Sequence, residues 1–154
     1  MSRWLTVDPG ESTGWSVWED KELVDAGTTP MMEFADDVWN EKFGKIDRIV
    51  CEDWRIYPWE AKKGSLNWDQ CRTARLIGVL AFIARLRDHS FILQPAAIKE
   101  RAIAGGAKEL FYRPLHENRH QNDAIMHGWF FVQVELLGAN IPKSEENTTA
   151  HHPV

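Results

Sequence analysis

The sequence predicts an α/β fold in which helices cover a mixed β-sheet. Three short strand-like runs open the chain, and a helical pattern separates them from a fourth, almost continuously apolar run. Such a run is typical of a strand that is covered on both faces. A parallel pairing of the first and fourth strands needs a crossover connection, which the intervening helix supplies.

Each predicted element rests on its own local signal. A short connection between the second and third strands favours a hairpin, Pro95 suits a first helical turn, and Gly138 suits a helix C-cap. The predicted strands are, in chain order, 4–7, 15–18, 23–28, 48–52 and 91–93. The predicted helices are about 30–44, 65–87, 95–104 and 122–137.

Two of these helices show an apolar stripe at helical spacing, which predicts the face that each one buries. In the first helix the stripe consists of Met32, Ala35, Val38 and Trp39. In the long helix it consists of Ala74, Ile77, Leu80, Ala81 and Ala84.

Size and composition indicate a single domain over residues 1–141 with a disordered tail over 142–154. We expect no signal peptide, because a strand-like run follows the first three residues directly, and no run is long enough to span a membrane. Cys51 and Cys71 provide neither a disulfide framework nor a zinc cage, which favours a reducing cytoplasm.

The net charge of −5 is distributed unevenly along the chain. Residues 1–54 hold 5 Lys and Arg against 13 Asp and Glu, residues 55–108 hold 10 against 4, and residues 109–154 hold 3 against 6. A basic middle between acidic ends is expected if one face meets phosphates while an acidic cluster holds metal. The alternative is that the helices of this segment carry ordinary solvated basic faces.

Two predicted strands end in a carboxylate. Asp8 follows the first strand, Glu52 closes the fourth, and a third acid, Asp123, precedes the last apolar stretch. If the two strands are neighbours, their acids lie roughly 4.8 Å apart. That is about the spacing that bridges two divalent cations roughly 3.5–4 Å from each other. The pattern therefore predicts a metal-dependent nuclease site.

The acids also have ordinary structural explanations. Asp8 would start a turn, because Pro9-Gly10 follows it, and Asp123 would be an acid near a helix N-terminus. Glu52 is harder to explain in this way, because glutamate is rarely fully buried without a partner. Asp53 points to the opposite face of the strand and is the better candidate for a solvated acid.

Histidine near the last acid is a further candidate for chemistry. His120 precedes Asp123 by three residues, so the two share one face if the helix already includes position 120. Imidazole can ligate a metal or transfer a proton. His116 and His127 compete with His120 for such a role.

Taken together, these motifs resemble RuvC-type Holliday-junction resolvases, which belong to the ribonuclease H-like superfamily. Residues 8–10 with Thr13-Gly14 resemble the family's opening strand and turn, residues 49–52 its second catalytic strand, and residues 120–124 its final motif. The resemblance covers most of residues 4–137. It implies a five-stranded sheet in the order 3-2-1-4-5, with strand 2 antiparallel. The small size is compatible with a bacteriophage member acting in a bacterial or phage-infected host cytoplasm.

The resemblance implies an endonuclease that resolves four-way DNA junctions by two-metal-ion hydrolysis. Asp8, Glu52 and Asp123 would bind two Mg²⁺ ions, with Mn²⁺ able to substitute, and His120 would be a fourth ligand or a proton-transfer group. One ion would activate water, and the other would stabilise the departing 3′ oxygen. The products would carry 5′-phosphate and 3′-hydroxyl ends.

The same resemblance gives roles to the basic middle segment. Lys99 resembles the family's lysine near the scissile phosphate, and Lys108 matches a second lysine that contacts DNA. Arg72 and Arg75 lie one turn apart on the long helix, within reach of backbone phosphates. For all four residues the alternative is an exposed, solvated cation.

The segment after Glu52 is rich in aromatic residues. Family members stack an aromatic side chain from this loop on unpaired bases, a contact worth about 1–3 kcal/mol per base. Arg55 stands where that aromatic is expected, so Tyr57 or Trp59 would substitute for it in binding DNA. For Trp54 a role as a hydrophobic anchor of the loop is equally open.

A four-way junction has two strands to cut, and related enzymes are dimers. We therefore expect a homodimer whose two-fold axis sets two metal sites against symmetric phosphates, with the exposed part of the long helix as its interface. No membrane partner is expected.

Other functions stay open at this level. One is a related nuclease that acts on flaps, forks or RNA–DNA hybrids, and another is a non-catalytic DNA-binding module with this fold. A phosphate-binding ATPase is a third, because residues 8–14 resemble a nucleotide-binding hairpin, although such proteins need two of these domains. A proofreading exonuclease is disfavoured, because Gly10 stands where its second acid is needed.

Overall fold

The computed structural model describes residues 1–54, 68–111 and 118–141. Five strands form one sheet in the order β3-β2-β1-β4-β5, which confirms the predicted order. The strands are β1 Arg3–Asp8, β2 Ser12–Glu19, β3 Glu22–Pro30, β4 Arg48–Asp53 and β5 Ser90–Pro95. The helices are α1 Met31–Trp39, α2 Trp68–Leu86, α3 Ile98–Ala104 and α4 Arg119–Phe131. A 3₁₀ turn, Ala107–Phe111, precedes α4, and a π-helical turn, Val132–Leu136, follows it.

Strand directions are also as predicted. The β1–β2 and β2–β3 pairs are antiparallel, and the β1–β4 and β4–β5 pairs are parallel. The helix α1 lies in the connection between β3 and β4, as the crossover requires. In the parallel register Val7 pairs with Cys51, so the residues that follow them, Asp8 and Glu52, reach the same edge of the sheet.

The two faces of the sheet carry separate cores. Side chains alternate between the faces along a strand, so neighbours in sequence belong to different cores. The core beside α1 and α2 includes Leu5, Val7, Ile49, Phe34 and Leu80. The core beside α4 includes Trp4, Trp18, Val50, Ile125 and Phe131. By the same alternation, the side chains of Asp8 and Glu52 lie on the α4 face.

Polar contacts and one glycine fix α4 against this face. The Thr6 hydroxyl donates to the backbone carbonyl of Ala124 over 2.7 Å, and the Ser16 hydroxyl donates to the same oxygen over 3.3 Å. A Cβ at Gly14 would overlap the backbone carbonyl of His120. The helix can therefore approach β2 this closely only because position 14 has no side chain.

The first helix differs from its prediction. Strand β3 continues through Pro30, so α1 begins at Met31 and ends at Trp39, before Gly44. The side chains that it buries are Phe34 and Val38, whereas Met32 and Trp39 of the predicted stripe are exposed. Apolar residues occur on two sides of this helix, and periodicity alone does not say which side packs on the sheet.

Two further boundaries were also wrong. The helix α4 begins three residues earlier than predicted, because the side chain of Asn118 caps it by accepting a hydrogen bond from the backbone N–H of His120. Pro95 is the last residue of β5 rather than the first of a helix. On α2 the predicted Leu80 and Ala84 are buried, while Ala74 is exposed.

The remaining predictions concern the tail, the two cysteines and membrane-spanning segments. The tail over 142–154 lies outside the described residues, so the predicted single domain with a disordered tail stays a prediction. Both cysteines are free thiols. Among the described helices, none combines the length and the apolar character needed to cross a membrane.

Candidate active site

The residues singled out from the sequence come together at one edge of the sheet. Asp8 ends β1, Glu52 lies next to the end of β4, and Asp123 and His120 come from the first two turns of α4. Because α4 includes position 120, His120 and Asp123 share one face, as their spacing predicts. The four side chains are thus brought together from three distant segments of the chain.

Asp8 is almost completely buried, with 6% of its surface exposed. Its Oδ2 lies 2.7 Å from Nδ1 of His120, and its carboxyl group shares a hydrogen bond with that of Glu52. Burial, followed by the hydrogen bond and the negative charge of Glu52, raises the pKa of Asp8 to about 8. A turn-initiating aspartate does not need such partners, so the turn explanation is insufficient for this residue.

Glu52 is the charged member of the pair. Burial acts to raise its pKa, but hydrogen bonds from His127, Asp8 and Lys99 outweigh burial and lower the pKa of Glu52 to about 2. Two neighbouring carboxyl groups of unequal environment thus share one proton, which stays with Asp8. The arrangement concentrates negative charge on one side of the pair.

Lys99 joins Glu52 to the third acid. Its Nζ lies 2.9 Å from Oε2 of Glu52 and 3.0 Å from Oδ2 of Asp123. Burial disfavours the charged ammonium, but the hydrogen bonds to these two carboxylates prevail and raise the pKa of Lys99. The family resemblance implies a lysine near the scissile phosphate, and in this structure the ammonium lies within the carboxylate cluster.

His127 also contacts the cluster, although the sequence pattern favoured His120 as the histidine of the site. Its Nε2 lies 3.1 Å from Oε2 of Glu52, and its Nδ1 lies 2.8 Å from Oε1 of Gln94. The signal available in the sequence was its spacing, one helical turn after Asp123. Nothing in the sequence singles out Gln94, because its role depends on the pairing of β5 with β4.

The chemistry of the donors fits a divalent cation. Carboxylate oxygens from Asp8, Glu52 and Asp123 are the hard ligands that Mg²⁺ prefers, and a cationic group already bridges two of them. Within residues 1–54, 68–111 and 118–141, no group of three or more His, Cys, Asp or Glu side chains is arranged so that it could hold a metal ion. In this arrangement the Lys99 ammonium contacts one oxygen of Glu52 and one of Asp123.

The other predicted residues lie apart from this cluster or outside the described structure. Lys108 is exposed on the 3₁₀ turn. Arg72 and Arg75 line a groove between α1 and α2, where Arg72 forms an ion pair of 3.5 Å with Glu11. Their proposed contacts with DNA stay predictions. The loop residues Arg55, Tyr57 and Trp59 are not among the described residues.

Comparison with solved structures identifies the fold as ribonuclease H-like. The chain is similar to Thermus thermophilus RuvC in complex with a Holliday junction substrate, with a TM-score of 0.68, 15% sequence identity, and coverage of 92% of this chain and 99% of that chain. It is also similar to a second structure of T. thermophilus RuvC, with a TM-score of 0.62, 15% identity, and coverage of 91% and 99%. Searches of protein-family models and of curated proteins found no match. The chain therefore has a RuvC-like fold.

Proposed function

We propose that this protein is a metal-dependent DNA endonuclease that resolves four-way junctions. The observation that carries the proposal is the convergence of Asp8, Glu52, Asp123 and His120 in one cluster, on a fold shared with a protein that has been captured on a Holliday junction. Buried carboxyl groups of unequal pKa at the carboxyl ends of parallel strands are typical of an active site rather than of a structural core.

In this proposal Asp8, Glu52 and Asp123 hold two Mg²⁺ ions, for which Mn²⁺ substitutes. Bound ions of this kind activate water and stabilise the departing 3′ oxygen, leaving 5′-phosphate and 3′-hydroxyl ends. Lys99 must leave the carboxylates for this to occur, and its ammonium is then free to contact the scissile phosphate. The cost of moving it is offset because the cations take over its role of neutralising the acids.

His120 is the group of the cluster that faces solvent. Its side chain is 45% exposed, whereas Asp8 beside it is buried. The 2.7 Å contact between Nδ1 and Asp8 Oδ2 fixes the orientation of the ring, so that its other nitrogen is available to DNA or to a cation. His120 thus serves as a fourth ligand or as a proton-transfer group at the rim of the site.

The remaining basic residues would position the DNA. Lys108, Arg72 and Arg75 are proposed to contact backbone phosphates, which fix register without reading sequence. Arg55 and the loop aromatics Tyr57 and Trp59 are proposed to contact the unpaired bases at the crossover.

We further propose that the protein acts as a homodimer. A groove of about 680 Å³ lies between α1 and α2 and is lined mainly by apolar side chains. Side chains of both charges line it, namely Arg72, Arg75, Glu11 and Asp36, and Arg72 is paired with Glu11 over 3.5 Å. A mainly apolar surface that carries both signs of charge suits a second copy of this chain, because across a two-fold axis each copy offers the other both kinds of charge.

A non-catalytic DNA-binding module with this fold is the second candidate. The observation that favours it is Lys99, because an ammonium that already neutralises Glu52 and Asp123 would satisfy a cluster with no metal to bind. The two candidates differ in whether any phosphodiester bond is cut.

The deciding experiment is a nicking assay on a synthetic four-way junction, with Mg²⁺, with Mn²⁺ and with chelator. The wild-type protein should nick two symmetric strands, and Asp8→Asn and Glu52→Gln should bind the junction without cutting it. Glu22→Gln, a matched change at an exposed position of β3, should cut as the wild type does.

Other results would point elsewhere. Full activity of Asp8→Asn would contradict the proposed site. Preferred cutting of a flap, a fork or an RNA–DNA hybrid in a parallel panel would assign another nuclease activity to the fold. Tight junction binding with no cutting of any substrate would establish the DNA-binding module.

A further inference from the structure

His127 is an unusual residue for its position. It lies one turn beyond Asp123 on the face of α4 that packs against the sheet, and none of its surface is exposed. The neighbouring buried positions of this helix, Ala124 and Ile125, are apolar, as expected for a helix face against a core. A fully buried imidazole here needs hydrogen-bonding partners for both of its ring nitrogens.

The sheet provides these partners from two adjacent strands. In the parallel β4–β5 ladder Glu52 pairs with Gln94, so their side chains lie on the same face, roughly 4.8 Å apart. The imidazole of His127 lies across both, with Nε2 at 3.1 Å from Glu52 and Nδ1 at 2.8 Å from Gln94. Gln94 is itself buried, so the imidazole and its amide partner are closed to solvent, whereas the side chain of Glu52 is 14% exposed.

We propose that His127, held by Gln94, is a positioning residue that fixes the carboxylate of Glu52 for metal binding. His127 and Lys99 both contact the same oxygen of Glu52, Oε2. When Lys99 leaves, the contact from His127 remains and keeps the carboxylate plane in place. His127 lies on the inner side of Glu52, away from solvent, and acts on a ligand rather than on DNA. The inference rests on the proposed metal site.

A side chain that hydrogen-bonds a metal-binding residue, without binding the metal itself, orients that residue before the metal binds. Loss of such a partner typically weakens metal affinity or activity about 10–100-fold. A histidine that only filled the core would instead affect the free energy of unfolding and leave the metal affinity of the folded protein unchanged. The two roles are therefore separable by measurement.

The test compares three variants by Mn²⁺ titration calorimetry without DNA, with thermal unfolding as a check on folding. His127→Leu removes both hydrogen bonds, and we expect it to bind Mn²⁺ about 10–100-fold more weakly. His127→Gln keeps a donor near Glu52 and should recover most of that loss. His89→Leu, a matched change in the connection between α2 and β5, should bind Mn²⁺ as the wild type does.

If His127→Leu does not fold, Gln94→Leu replaces it, because it frees the ring while leaving the imidazole in place. Its Mn²⁺ affinity should also fall. Wild-type Mn²⁺ affinity in a folded His127→Leu or Gln94→Leu protein would overturn the inference, as would equal loss in His127→Gln and His127→Leu. Absence of Mn²⁺ binding by the wild type would overturn it too.

The nicking assay separates this inference from the proposed function. In a wild type that binds Mn²⁺ and cuts no branched DNA, the proposed nuclease function fails, while a loss of affinity in His127→Leu still supports the role of His127. In a wild type that cuts, the metal concentration for half-maximal nicking should rise in His127→Leu more than the rate at saturating metal falls. An unchanged half-maximal concentration would contradict the inference.

Discussion

Lys99 illustrates how one side chain can stabilise an acidic cluster. Three carboxyl groups gathered in a buried place would repel one another, and the two solutions are to keep a proton or to bind a cation. Asp8 keeps a proton, because its pKa is raised. Glu52 and Asp123 bind a cation instead, the ammonium of Lys99. The chain's own groups therefore offset part of the negative charge of this centre.

Removal of that ammonium should destabilise the metal-free protein. In Lys99→Met two largely buried carboxylates lose the ammonium that they share, which costs about 3 kcal/mol and lowers the Tm by roughly 6–12 °C. Added Mg²⁺ should restore much of this loss, because a bound cation takes over the role of the lysine. Differential scanning calorimetry with and without Mg²⁺ measures both effects.

Lys42→Met is the matched control for this prediction. Lys42 forms a 2.8 Å ion pair with Asp37, but its side chain is 61% exposed against 21% for Lys99. Exposed pairs contribute about 0–1 kcal/mol, so the Tm should scarcely change, with or without Mg²⁺. Equal losses in the two variants, or no recovery of Lys99→Met with Mg²⁺, would show that Lys99 does not stand in for a cation.

At the level of elements, the site depends on how closely α4 approaches the sheet. Gly14 on β2 leaves room for the backbone of α4 at His120, and the Thr6 hydroxyl holds the carbonyl of Ala124. These contacts determine the depth at which His120 and Asp123 enter the cluster. The glycine and the threonine thus affect the site through their contacts with the backbone of α4.

Gly14→Ala should move α4 away from β2. A methyl group there overlaps backbone atoms, which cannot rotate aside as a side chain can, so we expect a loss of about 1–3 kcal/mol of stability. Junction nicking should fall much further than junction binding, because His120 and Asp123 shift while the basic residues stay in place. Urea unfolding and the nicking assay measure these two effects. The control is Gly78→Ala on α2, where an added Cβ would have no neighbouring atom within 4 Å.

The contrast between these two variants decides the prediction. Gly78→Ala should keep wild-type activity and gain slightly in stability, because alanine favours the helix. If Gly14→Ala is as active as Gly78→Ala, then the close approach of α4 does not matter for the site.

The elements could be predicted from the sequence to different degrees. The acids at positions 8 and 52 were predictable because each ends a strand, and the parallel pairing of those strands follows from the crossover between them. The Gln94–His127 contact was not, because it depends on strand register and on the rotation of α4 about its axis. Local pattern determines neither quantity.

The position of Lys99 could not be predicted from the sequence either. Family resemblance places a lysine beside the scissile phosphate, but it does not say where that lysine lies without DNA. The pairing with Glu52 and Asp123 is a balance of burial against charge that only the assembled site determines. The exposed Met32 and Trp39 were misassigned for a related reason, since periodicity does not reveal which surface a partner covers.

For the whole molecule, the two faces of the sheet have different roles. The α4 face carries the candidate active site, whereas the α1 and α2 face carries the groove lined by exposed apolar side chains. Exposed apolar patches rimmed by polar residues are typical of protein–protein interfaces. The candidate active site and the proposed dimer contact thus lie on different faces of the sheet, while Arg72 and Arg75, which are proposed to contact DNA, line the groove.

Phe82→Glu should separate the two copies. Phe82 lines the groove and is 61% exposed, so a charge there adds repulsion between copies without disturbing the core of the monomer. We expect the wild type to sediment as a dimer and the variant as a monomer in analytical ultracentrifugation. The variant should also lose the paired cutting of a junction and leave single nicks.

Leu137→Glu is the matched control, because Leu137 is also exposed and directly follows the π-helical turn. It should sediment as the wild type does. A wild type that sediments as a monomer, or a dimeric Phe82→Glu variant, would rule out this groove as the interface.

The spread of the cluster along the chain has a consequence for synthesis in a cell. Its members come from positions 8, 52, 99 and 120–127, so a ribosome has made most of the protein before the final helix emerges. A nascent chain that ends before α4 would lack Asp123, His120 and His127. Under the proposed activity, a translation product truncated at that point would be unable to cut DNA.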